Sequence, residues 1–406
     1  MNIGLLAYHS VNNFGASLQL LSTYSFFKNH GHNPIVINWI PYDLEYSYSS
    51  TVDKRQIDCC LEFRKTFWAE TERCYSSQDV ALIIEKYKID AIIIGSDAVA
   101  QHHPFWERVQ FPCKRIIQLR KITSDRMYPN PFWGEFNSFL NKPRKIAILS
   151  ASSQDSSYRF IFGSIKDKMK KSILQYSYIS TRDEWTSQMI NYLTDGILKP
   201  EVTPDPVFGF NYNTESILPT KEEIQKKFFL PSKYILLSFK TDNIVSQSWI
   251  SEFEIILNNN GFSCIMLPFS DSMTFGKTTK ILDYPISPLE WYALIKYSSG
   301  YVGNNMHPII VALHNAVPFF SFDNYGQRKF ASLLSSDKSS KILHILRLAG
   351  FEDNRISCIK RHFNIPTPNS VFEKILNFDF NRAKAFSDEY LQKYLRMMNN
   401  ILISLN

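Results

Sequence analysis

Short apolar runs alternate with segments of helical periodicity along most of the chain. Residues 3–8 form the first apolar run, and a polar loop at 9–15, a helical pattern at 16–29 and an apolar run at 35–40 follow it. This order predicts a β-α-β unit, in which parallel strands are joined by a right-handed crossover. The same pattern predicts four further strands in this half of the chain, at 91–94, 145–150, 178–181 and 202–206.

A second α/β series begins after residues 209–219, whose polar composition predicts a linker. Its strands are predicted at 234–239, 263–267, 300–303 and 317–322, and its helices at 248–259, 288–297 and 306–315. Two such series predict the α/β fold class, with two Rossmann-like domains facing a cleft and a C-terminal helix returning to the first domain. The predicted limits are 1–210 for the first domain, with irregular excursions at 41–78 and 98–143, 211–380 for the second domain, and 381–406 for the helix.

Composition and charge narrow the class of protein. Of the 406 residues, 44% are apolar and 20% are charged, which allows a packed core and argues against disorder. The net charge of +7 is spread along the chain without a nucleic-acid-binding motif, so nucleic acid is not an expected partner. A mild positive balance suits an anionic substrate, and it also allows peripheral contact with an anionic membrane surface.

The six cysteines and the N-terminus bear on the cellular compartment. No cysteine belongs to a Cys-x-x-Cys pair, and neither the cysteines nor the histidine pairs have the spacing of metal ligands. We therefore expect free thiols, no metal and a reducing compartment. Because the N-terminus enters a strand pattern at once and no run of about 18 apolar residues exists, we expect a cytoplasmic protein, peripheral at most at the inner face of the membrane.

Polar residues follow the predicted strands of the first half, at the edge where open α/β sheets bind ligands. Asn13, Gly15 and Gln19 come after the first strand. Gly15 permits a tight turn there, and the free N–H groups of the next helix suit an anion or a hydroxyl group. The sequences Gly95-Ser96-Asp97 and Ser152 follow two later strands. The competing interpretation at these positions is a turn or a helix cap.

Arg182 follows the strand predicted at 178–181 and precedes a helix that begins with acidic residues. A cation at a helix N-terminus opposes the helix dipole, so its position calls for another reason. A bidentate grip on a carboxylate or phosphate is one such reason. A surface ion pair with Asp183 or Glu184 is the alternative, although such pairs contribute little to stability.

His307 follows the strand predicted at 300–303 and enters the first turn of a helix, preceded by Asn305 and followed by Pro308. The helix dipole lowers the pKa of a histidine there and favours the neutral ring, which suits a general base or a neutral hydrogen-bond donor. Most histidines are not catalytic, so the alternative is a ring that binds a local backbone carbonyl. Its strand-end position, with Arg182 expected across the cleft, makes His307 a catalytic candidate.

Several stretches, taken in order, resemble the polysaccharide pyruvyltransferase family. They are LLAYHSVNNFGASLQLLSTYSFFKNHGHNPIVI, DAIIIGSDAV, KIAILSASSQD, YISTRDEWTSQMI, TPDPVF and ISPLEWYALIKYSSGYVGNNMHPIIVALHNAVPFFSF. Each stretch alone is weakly specific, whereas the ordered set, from residue 3 to about 322, is fairly specific. The resemblance departs from the family pattern where Asn305 replaces an Arg of some members, Pro308 replaces a Gly and Ala100 replaces a Trp.

The resemblance implies a GT-B-like fold with an acceptor domain followed by a donor domain. It implies transfer of a pyruvyl ketal from phosphoenolpyruvate, a co-substrate, to a sugar of a surface polysaccharide or its lipid-linked precursor, such as exopolysaccharide or capsule, with no cofactor. Arg182 and His307 fall on the family's catalytic positions, and Glu290 in the last stretch falls among the substrate-binding residues. Two alternatives stay open at this point: a GT-B glycosyltransferase that uses a nucleotide sugar, and a non-catalytic carbohydrate-binding member of the family.

Overall fold

Two parallel six-stranded sheets dominate the computed structural model, which describes residues 1–10, 12–48, 52–113, 116–271, 274–329, 334–360 and 363–405. Each sheet is covered by helices, and its central strands are buried on both faces. Buried parallel strands read as continuous apolar runs, and the run Ala91-Ile92-Ile93-Ile94 illustrates this, because none of its side chains is more than 1% exposed.

The first sheet has the order β2-β1-β3-β6-β7-β8. Its strands are β1 (Asn2–Leu6), β2 (Asn33–Val36), β3 (Ala91–Asp97), β6 (Lys145–Ala151), β7 (Tyr178–Thr181) and β8 (Glu201–Val202), and a hairpin of β4 (Val109–Cys113) and β5 (Ile116–Leu119) lies outside it. The helices of this half are α1 (Phe14–Asn29), α2 (Tyr42–Tyr48), α3 (Lys54–Phe67), α4 (Ser77–Lys86), α5 (Phe105–Arg108), α6 (Gly163–Ile173), α7 (Glu184–Leu193) and α8 (Phe210–Thr214).

The second sheet has the order β11-β10-β9-β12-β13-β16, which is the strand order of a Rossmann fold. Its strands are β9 (Tyr234–Ser238), β10 (Ser263–Met266), β11 (Lys280–Ile281), β12 (Gly300–Gly303), β13 (Phe319–Asp323) and β16 (Arg355–Ser357), with a separate hairpin of β14 (Gln327–Lys329) and β15 (Leu334–Ser336). The helices are α9 (Lys221–Phe228), α10 (Gln247–Asn259), α11 (Pro288–Lys296), α12 (Met306–His314), α13 (Lys341–Ala349), α14 (Pro368–Leu376) and α15 (Phe380–Leu405).

The long C-terminal helix α15 ties the two sheets together. Met397 lies against Ser150 and Ser180 of the first sheet, with sulfur-to-hydroxyl distances of 3.2 and 3.6 Å. Earlier in the same helix, Ser387 donates a hydrogen bond of 2.8 Å to the backbone carbonyl of His314 in α12. The predicted return of this helix to the first domain is confirmed. Among the described residues, no helix combines the length and the apolar character needed to cross a lipid bilayer.

Three predictions about local structure are wrong. Helix α1 begins at Phe14, so Gly15 lies in the first helical turn and does not form the predicted tight turn. The excursion at 41–78 is not irregular, because α2 and α3 lie within it. The segment 209–219, predicted as a linker, contains α8, which packs against α1 through residues such as Asn213. In α3 and α8, contacts with distant elements, such as those of Gln56 with Ile286 and of Asn213 with Ser22, stabilise a helix that local composition does not predict.

The cysteines described by the structure are free thiols: Cys59, Cys60, Cys74, Cys264 and Cys358. The side chain of Cys113 lies outside the described part of the chain.

Candidate active site

The ends of β3, β7 and β8 bring three charged side chains together at the carboxyl edge of the first sheet. The Nη2 atom of Arg182 donates to Asp97 Oδ1 at 3.0 Å, and Nη1 donates to Asp205 Oδ2 at 2.8 Å. The side chains of Arg182 and Asp205 are 4% and 2% exposed. A buried arginine between two carboxylates is well paired, whereas the loss of any one member leaves an uncompensated buried charge.

The pairing changes the role predicted for Arg182. Burial alone would lower the pKa of its guanidinium group, but Asp97 and Asp205 outweigh burial and raise it. Both terminal nitrogens are engaged by carboxylates, so Arg182 contacts two protein side chains where the sequence predicted a grip on a ligand. Its Nε atom is buried and has no hydrogen-bond partner among the residues that the structure describes.

Gln19 and Ser96, both predicted as site residues, join this cluster. The Nε2 atom of Gln19 donates to Asp205 Oδ2 at 2.6 Å and lies 3.4 Å from Ser96 Oγ. Ser96 Oγ donates in turn to the backbone carbonyl of Ser150 at 3.0 Å. Gly95 has a φ of +116°, which suits glycine. A side chain at this position would place its Cβ atom 2.5 Å from the carbonyl oxygen of Leu149. These residues therefore shape the floor of the site.

Ser152, another predicted residue, does not contact the charged cluster itself but bonds to Asp183, the neighbour of Arg182 in the chain. Its Oγ donates to Asp183 Oδ2 at 2.8 Å, and Asp183 caps α7 by accepting from the backbone N–H of Thr186. Ser152 therefore does not cap the helix that follows it, which was the alternative interpretation, but supports the cap residue of α7. Asp183 is 2% exposed, so the hydroxyl of Ser152 satisfies a buried carboxylate oxygen.

His307 faces Gly15 across the cleft between the two sheets. A Cβ atom built on Gly15 would lie 2.0 Å from Cγ of the His307 ring, so only glycine lets the start of α1 approach this ring. This contact explains the residue at position 15 better than a turn does. Both predicted features of His307 are present: it occupies the first turn of α12, and Pro308 follows it.

The environment of His307 favours the neutral ring. Burial lowers its pKa below the ordinary value, the nearby carboxylates of Asp97 and Asp205 oppose that shift, and Arg182 and Lys341 reinforce it. The ring is 6% exposed, and its Nε2 atom has no hydrogen-bond partner among the described residues. His314 and His344 also have an unpartnered ring nitrogen, so it is the position of His307 beside the charged cluster that makes this atom available to a ligand.

Lys341 reaches the cluster from the second sheet, and the sequence reasoning missed it. It is the first residue of α13, is 5% exposed, and places Nζ 3.6 Å from Asp97 Oδ1. Burial and the charge of Arg182 lower the pKa of Lys341 to about 8. Burial alone would raise the pKa of Asp97, but Lys341, Arg182 and His307 outweigh it and hold that pKa well below its usual range.

The predicted residues Asn13 and Asn305 line a cavity of about 290 Å³ next to the cluster. Asn13 caps α1 by accepting from the backbone N–H of Ala16 at 3.3 Å, whereas Asn305 precedes α12 without a side-chain cap. Side chains from both halves of the chain share this cavity. Amides dominate its lining, with two aromatic rings and one Lys–Asp pair: Asn12, Asn13, Asn304, Asn305, Asn324, Phe269, Tyr325, Ser270, Lys240 and Asp271.

The structure does not bring Glu290 to this site. Glu290 forms a capping box with Ser287 at the start of α11 and pairs with Lys227 of α9, on a surface cavity near α3. The next residue along the helix, Trp291, faces the cleft instead and packs against Phe14 with ring centroids 5.3 Å apart. Consecutive residues of a helix point in different directions, so Trp291 faces the cleft and Glu290 faces the surface.

Asp205 and Lys341 are the two members of the cluster that sequence reasoning did not select. Asp205 lies in the TPDPVF stretch directly after β8, so the rule that selected the other strand-end residues applied to it as well. Lys341 stands at a helix N-terminus, where a cation is electrostatically unfavourable. That argument selected Arg182, and it would have selected Lys341 if the start of α13 had been predicted.

Comparisons with known proteins bear on the family and the fold of the chain. A model of the polysaccharide pyruvyl transferase family matches residues 13–325, which include every member of the cluster except Lys341. No protein of curated function matches the chain.

Solved structures of the GT-B type share the fold. A UDP-N-acetylglucosamine 2-epimerase from Rickettsia bellii aligns with a TM-score of 0.55 at 10% identity, covering 100% of this chain and 97% of that one. The corresponding epimerase from Methanocaldococcus jannaschii gives 0.51 at 11% identity, covering 98% and 99%. UGT2 of Phytolacca americana, complexed with UDP-2-fluoro-glucose and pterostilbene, gives 0.50 at 8% identity, covering 100% and 99%. These similarities confirm the predicted fold class of two Rossmann-like domains.

Proposed function

The chain belongs to the polysaccharide pyruvyl transferase family, and from that premise we propose that it transfers a pyruvyl group from phosphoenolpyruvate to two hydroxyl groups of a sugar. The observation that carries the proposal is the meeting of His307 with Asp97, Asp205, Arg182 and Lys341 at the cleft. Such a site combines a neutral base with buried charges of both signs. Pyruvyl transfer needs this combination, because a proton must move while an anionic donor is held.

His307 is the proposed proton carrier. Its lowered pKa keeps the ring neutral near pH 7, so it can accept the proton of the attacking sugar hydroxyl. The same proton then passes to the methylene carbon of phosphoenolpyruvate while the sugar oxygen bonds to the central carbon. The imidazolium ion that exists in between is stabilised by the carboxylates of Asp97 and Asp205.

The second half of the reaction releases phosphate. The bond between the central carbon and the phosphate oxygen breaks, the second sugar hydroxyl bonds to that carbon, and its proton leaves with the phosphate. The product is a cyclic ketal that carries a carboxylate. In this scheme Arg182 is a positioning residue, because it fixes the two aspartates that stabilise the imidazolium ion.

The amide-lined cavity is the proposed place for the acceptor sugar. Amide side chains donate to and accept from hydroxyl groups without imposing a charge, and the rings of Phe269 and Tyr325 offer apolar surface to a sugar face. A volume of about 290 Å³ lies at the lower end of the range for small-ligand sites, in keeping with a single sugar residue. Asn13 and Asn305 keep the binding role predicted for them.

The proposal is tested by incubating the protein with phosphoenolpyruvate and a galactosyl or mannosaminyl lipid. We expect release of inorganic phosphate and a lipid product with the added mass of a pyruvyl ketal. A parallel thermal-shift screen of phosphoenolpyruvate and nucleotide sugars separates donor classes, because a ligand that binds only the native state raises the melting temperature. Stabilisation by nucleotide sugars alone, without phosphate release, would replace pyruvyl transfer by glycosyl transfer.

A further inference from the structure

A second cavity, of about 380 Å³, lies between the two halves of the chain beside the charged cluster. It shares Asn324 and Tyr325 with the amide-lined cavity, so ligands in the two cavities would lie side by side. The linings differ in chemistry, because this second cavity contains the cations Arg120 and Lys341. Its remaining lining residues are Glu107, Gln154, Asp155, Gly326 and Ser339.

The N-terminus of α13 opens at this second cavity. Ser340 caps the helix by accepting from the backbone N–H of Leu343 at 3.1 Å, which leaves the first N–H groups of the helix available. Ser339, immediately before the cap, is 4% exposed and lines the cavity, and its Oγ has no partner among the described residues. A buried hydroxyl without a partner next to available helix N–H groups indicates a site for a hydrogen-bond-accepting ligand.

Lys341 adds a positive charge that packing alone does not explain. Its ammonium group is buried, and it lies 3.6 Å from Asp97 Oδ1 and 5.5 Å from the centre of the Tyr325 ring. Asp97 already has a shorter pairing with Arg182, so Lys341 is not needed to satisfy that carboxylate. Burial of an ammonium group is unfavourable unless it is fully paired, and a bound anion would complete its pairing.

The carboxylates that line the cavity leave room for an anion. Glu107 is occupied on both oxygens, since Oε1 lies 2.9 Å from His103 Nδ1 and Oε2 accepts from the backbone N–H of Ser157 at 3.0 Å. Asp155 is the other carboxylate in the lining, so the two carboxylates equal in number the two cations, Arg120 and Lys341. Lys341 and the positive end of the α13 dipole lie at the same end of the cavity, which favours an anion there.

We propose that this second cavity is a phosphate subsite, in which Lys341, Ser339 and the first N–H groups of α13 bind the phosphate oxygens. The identification of that phosphate as the one carried by phosphoenolpyruvate rests on the proposed function, whereas the subsite itself does not. In this subsite Lys341 of the second domain is the cation, whereas the position at which some family members have an arginine is occupied by the uncharged Asn305. The subsite also assigns the phosphate to Lys341 and leaves Arg182 to position the aspartates.

Isothermal titration of the full-length protein with inorganic phosphate and with phosphoenolpyruvate tests the subsite. We expect the Lys341→Met variant to weaken the binding of both ligands by about 10- to 100-fold, the usual range for the loss of a charge-assisted hydrogen bond. Ser339→Ala removes only a neutral donor, so we expect a smaller loss of about 3- to 10-fold. Thermal melting of each variant verifies that it is folded.

Lys338→Met is the matched control, because Lys338 is an exposed lysine three residues earlier in the same segment. It removes the same charge but no cavity contact, and we expect unchanged binding. Equal weakening in Lys338→Met and Lys341→Met would reduce the effect to general charge and overturn the subsite. Failure of the wild-type protein to bind either ligand would overturn it as well. Binding that depends on Lys341, without any transfer to a sugar, would retain the subsite and contradict the proposed function.

Discussion

The two sheets each contain an arginine held between two aspartates, and only one of these clusters has the properties of an active site. Arg182 bridges Asp97 and Asp205 at 3.0 and 2.8 Å. In the second sheet, the Nε and Nη2 atoms of Arg355 contact two further aspartates, Asp323 and Asp337, at 2.6 and 2.7 Å. The two clusters have the same composition and similar distances, so neither feature identifies the functional one.

The clusters differ in how completely their polar atoms are paired. Asp323 accepts additional hydrogen bonds from the Ser340 hydroxyl and the Tyr325 backbone N–H, and no buried polar side-chain atom of Arg355 or its aspartates is unpartnered among the described residues. The Arg182 cluster, in contrast, has an orphaned Nε atom and lies beside His307, whose Nε2 atom is also orphaned. Unused hydrogen-bonding capacity therefore distinguishes a site prepared for a ligand from a structural ion pair.

Among the variants that test this difference between the clusters, replacement of His307 has the largest expected effect on the rate. In His307→Gln we expect the rate of phosphate release to fall by about 10²- to 10⁴-fold, because glutamine cannot carry the proton. The measurement is the steady-state rate of phosphate release from phosphoenolpyruvate with the galactosyl or mannosaminyl lipid.

His314→Gln is the control for that variant. His314 lies at the other end of α12, is also buried, and bonds through Nδ1 to the Ser387 hydroxyl at 3.0 Å. We expect it to cost stability and to keep the rate within about threefold of the wild type, because it is not placed at the cleft. A wild-type rate in His307→Gln would contradict the proposal that His307 carries the proton.

The matched pair Arg182→Lys and Arg355→Lys compares the two clusters directly. A lysine cannot reproduce the planar fork that joins two carboxylates, so both variants lose a bridge. In Arg182→Lys the aspartates beside His307 shift, and we expect kcat to fall by about 100-fold. In Arg355→Lys the rate should stay within about twofold of the wild type, since Asp323 keeps its hydrogen bonds from Ser340 and Tyr325 and the second cavity keeps its lining.

Thermal melting accompanies the rate measurements on this pair. Comparable losses of stability, together with an activity loss confined to Arg182→Lys, would support the distinction between the clusters. An equal loss of activity in both variants would show that the second cluster also serves the reaction.

The sequence predicted the sheet and the strand-end residues well, because both depend on local signals. Buried parallel strands are continuous apolar runs, and the strand at 178–181 was predicted with the bounds that the structure has. Asp97, Arg182 and His307 were selected because they follow such runs. Since the carboxyl ends of parallel strands lie at one edge of a sheet, this rule also predicts that residues far apart in sequence meet.

Local signals did not predict which side chains pair with each other, nor which side chains face the cleft. Which carboxylates reach Arg182 depends on how β3, β7 and β8 are ordered in the sheet. Gly15 was interpreted as a turn residue. The contact that requires glycine there is with the ring of His307, which belongs to the other half of the chain. Lys341 was missed because neither the hairpin of β14 and β15 nor the start of α13, which follows it, was predicted from local composition. Tertiary contacts, which a single sequence does not encode as a periodic pattern, decide all three.

Gly15→Ala tests the close approach of α1 to α12. The added Cβ atom would lie 2.0 Å from the His307 ring, so either the ring or the helix must move. We expect kcat to fall by about tenfold, which corresponds to roughly 1.4 kcal/mol of lost transition-state stabilisation. Gly261→Ala is the control, because its φ of +78° makes the substitution strained while nothing lies within 4 Å of the added atom. It should lower the melting temperature and leave kcat unchanged, and an identical kcat in both variants would argue against the contact.

The smallest effect concerns pH, where two residues of the second domain, His307 and Lys341, set opposite limits on the rate. The lowered pKa of His307 keeps its ring neutral above about pH 6.5, so the rate should be level near neutrality. Lys341, with its pKa lowered to about 8, loses its charge as the pH rises through that value. Because phosphate binding needs the charged form, kcat/KM should fall by about twofold at pH 8 and about tenfold at pH 9.

Lys341→Arg distinguishes this alkaline limit from general effects of pH, because arginine stays charged throughout the range. In that variant we expect a lower kcat/KM at pH 7, since the guanidinium group fits the subsite less well, and no fall between pH 7 and 9. The measurement is kcat/KM for phosphoenolpyruvate against pH in both proteins. A fall with the same midpoint in Lys341→Arg would assign the limit to another group, and the subsite would then lose its pH signature while its binding test remained.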